Sequence, residues 1–134
     1  GQSTSNPSSI SQKAAVEAFL APRAIVTDMV AEFARRMELV VGELNSMPGV
    51  SCFRPRGAFY VFPDVSAHFG KSFGGKKITD SAAIADFLLE EGKVAAVSGA
   101  PFGAEGHIRI SFATSTENLK KAMARIREAL AKLA

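Results

Sequence analysis

The residue in this sequence best suited to chemistry is Arg109, set in the run His107-Ile108-Arg109-Ile110-Ser111. Side chains alternate across a strand, so Ile108 and Ile110 share an apolar face while Arg109 stands on the other between polar neighbours. A guanidinium in an apolar strand needs a partner, and its planar fork fits a carboxylate through two parallel hydrogen bonds. Two readings fit those residues: a receptor for the acid group of a small ligand, or an arginine that pairs with a nearby Asp or Glu or lies on a solvated sheet face. The other reactive side chains form weaker patterns. His68 and His107 are far apart, and neither has ligand spacing with Cys52 or a carboxylate, so no metal site is expected. Ser98 and Ser111 lack the strand-turn-helix setting of a nucleophilic serine and have no base within local reach, which argues against hydrolase chemistry.

The elements that must hold Arg109 follow from periodicity and punctuation. Residues 107–113 read as its strand, reached from a short strand at 94–97 through the connection Ser98-Gly99-Ala100-Pro101-Phe102-Gly103-Ala104-Glu105-Gly106. Residues 50–54 and 58–62 predict a hairpin turned by Pro55-Arg56-Gly57, and residues 64–77, rich in Gly and Lys without periodicity or phosphate-loop spacing, predict a mobile surface loop. Ile10, Ala14 and Ala18 recur every fourth position behind a Ser8 or Ser9 cap, giving a helix over 8–20. From Pro22 to Asn45 the apolar positions Ile25, Met29, Phe33, Met37, Val40, Val41 and Leu44 predict one amphipathic helix. At about 36 Å it is longer than a compact domain of this size needs. A third helix starts at Asp80 or Ser81, buries Ile84, Phe87 and Leu88, and ends with Gly92 as its left-handed residue. A fourth starts at Thr114, which has capping-box spacing to Glu117, and carries a core stripe of Leu119, Met123, Ile126 and Leu130. The order predicts an α/β chain of the α+β two-layer kind, a small mixed sheet packed by helices with a long N-terminal linking helix.

With 134 residues, 47% of them apolar, the chain can bury a core without disulfides or metal. The net charge of +3 is scattered rather than gathered into a stripe, which excludes a nucleic-acid surface and leaves a mild preference for anionic small molecules. Cys52 is the only cysteine, so no internal disulfide forms and a buried thiol in a reducing compartment is expected. No stretch reaches the roughly 18 apolar residues of a membrane span, and the start has no basic region followed by an apolar one, so a cytoplasmic protein without a membrane partner is expected.

The segment Gly57-Ala58-Phe59-Tyr60, the loop Pro101-Phe102-Gly103 and the strand Ile108-Arg109-Ile110-Ser111-Phe112-Ala113 occur in the order typical of class I aminotransferases that use pyridoxal phosphate, and the chain resembles the carboxyl-terminal part of the aspartate aminotransferase family over nearly its whole length. Gln2-Ser3-Thr4-Ser5-Asn6-Pro7 resembles the segment that follows shortly after that family's cofactor-holding lysine. The resemblance implies that Arg109 grips the α-carboxylate of an amino acid or 2-oxo acid, that Phe59 lines the substrate side and that Phe102 closes over it. It also implies that Ser5 and Asn6 lie near the cofactor site of the partner subunit in a homodimer. Residues 1–21 then form a tail of the parent's large domain, and 22–134 the small domain, with 22–46 as the linking helix. None of the chain's lysines stands in a context like that of the cofactor lysine, so the fragment alone is expected to hold no cofactor and to be inactive. Two departures stand out: Ser98 precedes Gly99 where many relatives have proline, and position 1 is glycine where animal-type enzymes carry an arginine for a second carboxylate. A free-standing α/β module that binds a small molecule or a partner is the alternative. An upstream reading frame bearing the lysine separates the two.

Overall fold

The structure, a computed structural model, describes residues 5–134. The Gly1 departure and the start of the Gln2-to-Pro7 segment lie outside the described residues. The chain divides into two compact units, Gly1–Glu32 and Phe33–Ala134.

In the first unit, α1 (Ser9–Leu20) begins at Ser8, whose hydroxyl accepts the Ser11 amide at 3.2 Å, and stops at Ala21, just ahead of Pro22. It buries none of its residues, and Phe19 is 88% exposed. The second helix, α2 (Ala24–Asn45), starts in this unit, where Ile25, Val26, Met29 and Val30 are exposed. Its buried residues, Met37, Val40, Val41 and Leu44, all belong to the second unit.

The second unit is built on a three-stranded sheet in the order β1 (Tyr60–Val61), β5 (Ile108–Ser111), β4 (Val97–Ser98). The α+β expectation holds, with every described strand pair antiparallel where a mixed sheet was expected. Ile108 and Ile110 point into a core shared with the buried stripe of α2, with Ile84, Phe87 and Leu88 of α3 (Ser81–Gly92), and with Leu119, Met123, Ile126 and Leu130 of α4 (Thr116–Leu130). Arg109 takes the opposite, half-buried face.

Several local expectations give way to specific bonds. The 50–54 strand reduces to a single bridge, Ser51 to Asp64, because the Asn45 amide takes both backbone groups of Cys52, at 2.8 and 3.0 Å. With no partner strand there, Tyr60 and Val61 pair with β5 rather than closing a hairpin. The 64–77 segment is structured. It holds a helical turn at Ser66–His68 and a hairpin of β2 (Ser72–Phe73) and β3 (Lys76–Lys77), whose two-residue turn is formed by left-handed Gly74 and Gly75. The chain end fastens this hairpin, since Ser72 and Ala134 exchange backbone hydrogen bonds. Gly92 stays helical, and the left-handed cap falls on Lys93, whose amide donates to the Leu88 carbonyl. The last helix is capped by Ser115 rather than Thr114, its hydroxyl accepting the Asn118 amide at 3.2 Å, while Glu117 pairs with Lys121.

His68 is buried. Burial lowers its pKa, the Lys71 charge adds to the shift, and the Pro48 backbone opposes it. The unfolded chain therefore takes up a proton first as the solution is acidified. The contribution of neutral His68 to stability is complete above the unfolded histidine pKa of about 6.5 and is lost as pH falls through the lower folded value. We expect the urea midpoint to drop between about pH 7 and 5, and the drop to flatten in His68→Leu. An equally steep drop in that variant would place the titration elsewhere. For the first unit, the exposed apolar residues predict concentration-dependent self-association in sedimentation velocity, reduced in Phe19→Glu. A monodisperse monomer at high concentration would contradict this.

Candidate carboxylate-binding site

Strand register assembles the open face of the sheet. Tyr60 lies opposite Ser111 and Val97 opposite Arg109, so all four side chains share the face left uncovered by the core. The Arg109 guanidinium carbon sits 5.3 Å from the centre of the Tyr60 ring and 4.9 Å from that of Phe102. Rings at these distances attract the cation and confine its long side chain without consuming its hydrogen-bonding edge. No described carboxylate pairs with it. Of the readings its strand allows, a pairing with a nearby Asp or Glu is therefore the one that the described residues do not supply, while a receptor for an acid group and an arginine on the open sheet face both fit this geometry.

The aromatic surround extends on both sides. The rings of Phe59 and Tyr60 meet edge to face at 6.1 Å, as do those of Phe62 and Phe102, and Phe62 stacks on His107 at 5.1 Å. Phe59 and Phe102 are each about half exposed. Phe59 is held by its backbone, its carbonyl accepting the Phe112 amide at 2.8 Å. The positive φ needed to reach this position falls on Ala58, at 64°. Arg109 and Phe102 thus come together, with Phe59 meeting Tyr60 beside them, whereas Ser5 and Asn6 lie exposed just before α1. Tyr60 and Phe62 complete the site without having been singled out beforehand. Their signal was the same alternation that placed Arg109, once the pairing of Tyr60 with Ser111 is known.

The connection carrying Phe102 turns at Gly99. Its amide donates to the His107 carbonyl at 2.9 Å, and its carbonyl accepts the amides of Phe102 and Ala104. A Cβ at position 99 would stand 2.2 Å from the Ala104 carbonyl oxygen and 2.3 Å from that of His107, so only glycine fits. Ser98 turns its hydroxyl to that of Ser81 at 2.7 Å. Beside the site, hydrogen bonds from Ser66 hold the Asp64 carboxyl below its ordinary range, with the His107 charge adding to them, while burial pushes the Cys52 thiol up. Among the described residues, no group of three or more His, Cys, Asp or Glu side chains is placed to hold a metal ion.

The sequence matches the family model described as "Aminotransferase class I and II" over residues 1–126. The chain belongs to the class I and II aminotransferase family. It is 53% identical to the aspartate/prephenate aminotransferase of Cereibacter sphaeroides over 93% of this chain and 32% of that protein. Among solved structures, the aspartate aminotransferase of Rhizobium meliloti superposes with a TM-score of 0.92 at 42% identity, covering 99% of this chain and 34% of that one. The alanine aminotransferase of Pyrococcus furiosus superposes at 0.81 with 28% identity, covering 93% and 30%. The chain therefore spans about a third of the length of these relatives.

The pyridoxal phosphate implied by the family resemblance requires an amine near the reacting carbon, and the described lysines do not fit that position. None lies on β1, β4, β5 or the 98–106 connection, and Lys76, Lys121 and Lys132 are engaged with Glu90, Glu117 and Glu91. The guanidinium of Arg109, with no described acid partner, keeps donors of the kind that hold a carboxylate. The Gly99 geometry yields a test: Gly99→Ala forces the backbone apart, and we expect a loss of about 1–3 kcal/mol in urea unfolding, as for other overpacked sites. An unchanged midpoint would mean that the connection is looser than its hydrogen bonds indicate.

Proposed function

We propose that this chain is the carboxyl-terminal small domain of a pyridoxal-phosphate-dependent aminotransferase of the aspartate/prephenate type, and that Arg109 receives the α-carboxylate of the amino acid and of the 2-oxo acid. The observation that carries this reading is a half-buried guanidinium, in contact with the Tyr60 and Phe102 rings, with no acid partner among the described residues. Relatives named for aspartate, prephenate and alanine differ in the side chains they handle, and the group common to amino donors is the α-carboxylate. A two-point grip on that group fixes how the bonds at the α-carbon stand, which is a matter of orientation rather than proton transfer. Phe59 and Phe102 flank the grip and limit access of water, strengthening the charged hydrogen bonds inside it.

In this reading residues 1–21 belong to the large domain, 22–134 form the small domain, and α2 links them. The exposed apolar residues in the first turns of α2 agree with a helix that is covered there by further protein. The cofactor is held by parts of the protein outside this stretch, with Ser5 and Asn6 close to the site of the partner subunit in a homodimer. Pyridoxal phosphate supplies the electron sink that the side chains here lack, and the chain alone is inactive. The lone buried thiol is in keeping with a cytoplasmic location.

Steady-state transamination by the protein extended to the length of its relatives tests the assignment. Arg109→Lys keeps the charge and loses the fork, and kcat/KM should fall by about one to two orders of magnitude, the scale of one charged hydrogen bond. A value within about twofold of the unsubstituted enzyme would overturn the role of Arg109.

A further inference from the structure

We propose that Glu105, acting through Ser81, is a positioning residue that latches the 98–106 connection so that Phe102 covers Arg109. The proposal rests on the carboxylate-binding reading for its function and on a hydrogen-bond network for its structure. Ser81, the first residue of α3, is wholly buried. Its hydroxyl and its amide both donate to one Glu105 oxygen, each at 2.8 Å. A serine hydroxyl has a single proton. With that proton on Glu105, the Ser81 oxygen can only accept from its other neighbours. It takes the Ser98 hydroxyl at 2.7 Å, which must therefore be the donor, and the Ala100 amide at 3.2 Å.

One buried oxygen thus ties together the start of α3, the end of β4 and both limbs of the connection. Phe102 lies between the two tie points, Ala100 and Glu105, next to the left-handed Gly103. Its ring position over the guanidinium, 4.9 Å from the arginine carbon, is set by these ties and by the turn at Gly99. The helix has little need of Glu105 for itself. Asp80 already caps α3, its side chain accepting the Ala83 amide at 2.8 Å. Glu105 is an exposed residue that reaches inward to a helix N-terminus, where a carboxylate is favoured. Its removal should therefore release the loop more than it weakens the fold.

The test uses the present chain labelled with nitrogen-15, following the Arg109 Nε–H resonance, identified by its loss in Arg109→Lys, with succinate as the carboxylate probe. In Glu105→Ala we expect that resonance to move toward its unstacked position, the amide of Phe102 to exchange faster, and succinate to bind about five- to tenfold more weakly, the scale of one lost cation–ring contact. Glu105→Gln retains an acceptor oxygen and should restore all three readouts. Ser81→Ala should reproduce Glu105→Ala. The latch is overturned if Glu105→Ala leaves the Arg109 resonance and the Phe102 exchange unchanged, or if succinate binds that variant as well as it binds the original chain. Equal response of the original chain and Arg109→Lys to succinate would sink the carboxylate reading instead, and the latch would then stand or fall on the resonance and exchange data alone.

Discussion

A guanidinium partly withdrawn from water and given no acid partner by its own domain is the constraint around which this structure is arranged. Leaving such a charge unanswered costs stability, and the fold offsets part of that cost with two aromatic faces rather than a carboxylate. Rings hold the cation in place yet leave its planar edge able to donate. That combination suits an arginine whose counter-charge arrives with a ligand. An internal Asp or Glu would have filled the grip.

The rest of the second unit keeps this arrangement in register. The core stripe of α2, α3 and α4 covers one face of β5, and a slip of one residue would send Arg109 into that core and Ile110 out of it. Gly99, hemmed in by two carbonyl oxygens, sets the path of the connection, and Phe102 follows from it. Stability and binding geometry are thereby coupled. The same apolar alternation that buries Ile108 and Ile110 aims the guanidinium outward.

Much of this was legible in the residues. The period of α2, the stripe of α4 and the alternation around Arg109 are strong repeating signals, and the helices fall within a residue or two of where they were expected. Other features depend on particular contacts that no repeating pattern encodes. The Asn45 side chain takes the backbone groups of Cys52 and so dissolves a strand that its residue types favoured. The β2–β3 hairpin becomes plausible only when the chain end at Ala134 is seen to pair with it. At the site, Arg109, Phe59 and Phe102 could be named beforehand, but Tyr60 required the register of β1 against β5, and Glu105 required knowing that it lies against Ser81. Family membership supplies the chemical context.

The most direct measurement is a crystal structure of the protein, extended to the length of its relatives, with a bound amino acid or 2-oxo acid. The account predicts the α-carboxylate lying edge-on to Arg109, with two N···O distances of about 2.7–2.9 Å and the Tyr60 and Phe102 rings still against the guanidinium. A ligand carboxylate bound elsewhere, with Arg109 instead paired to an acidic side chain of the protein, would contradict it.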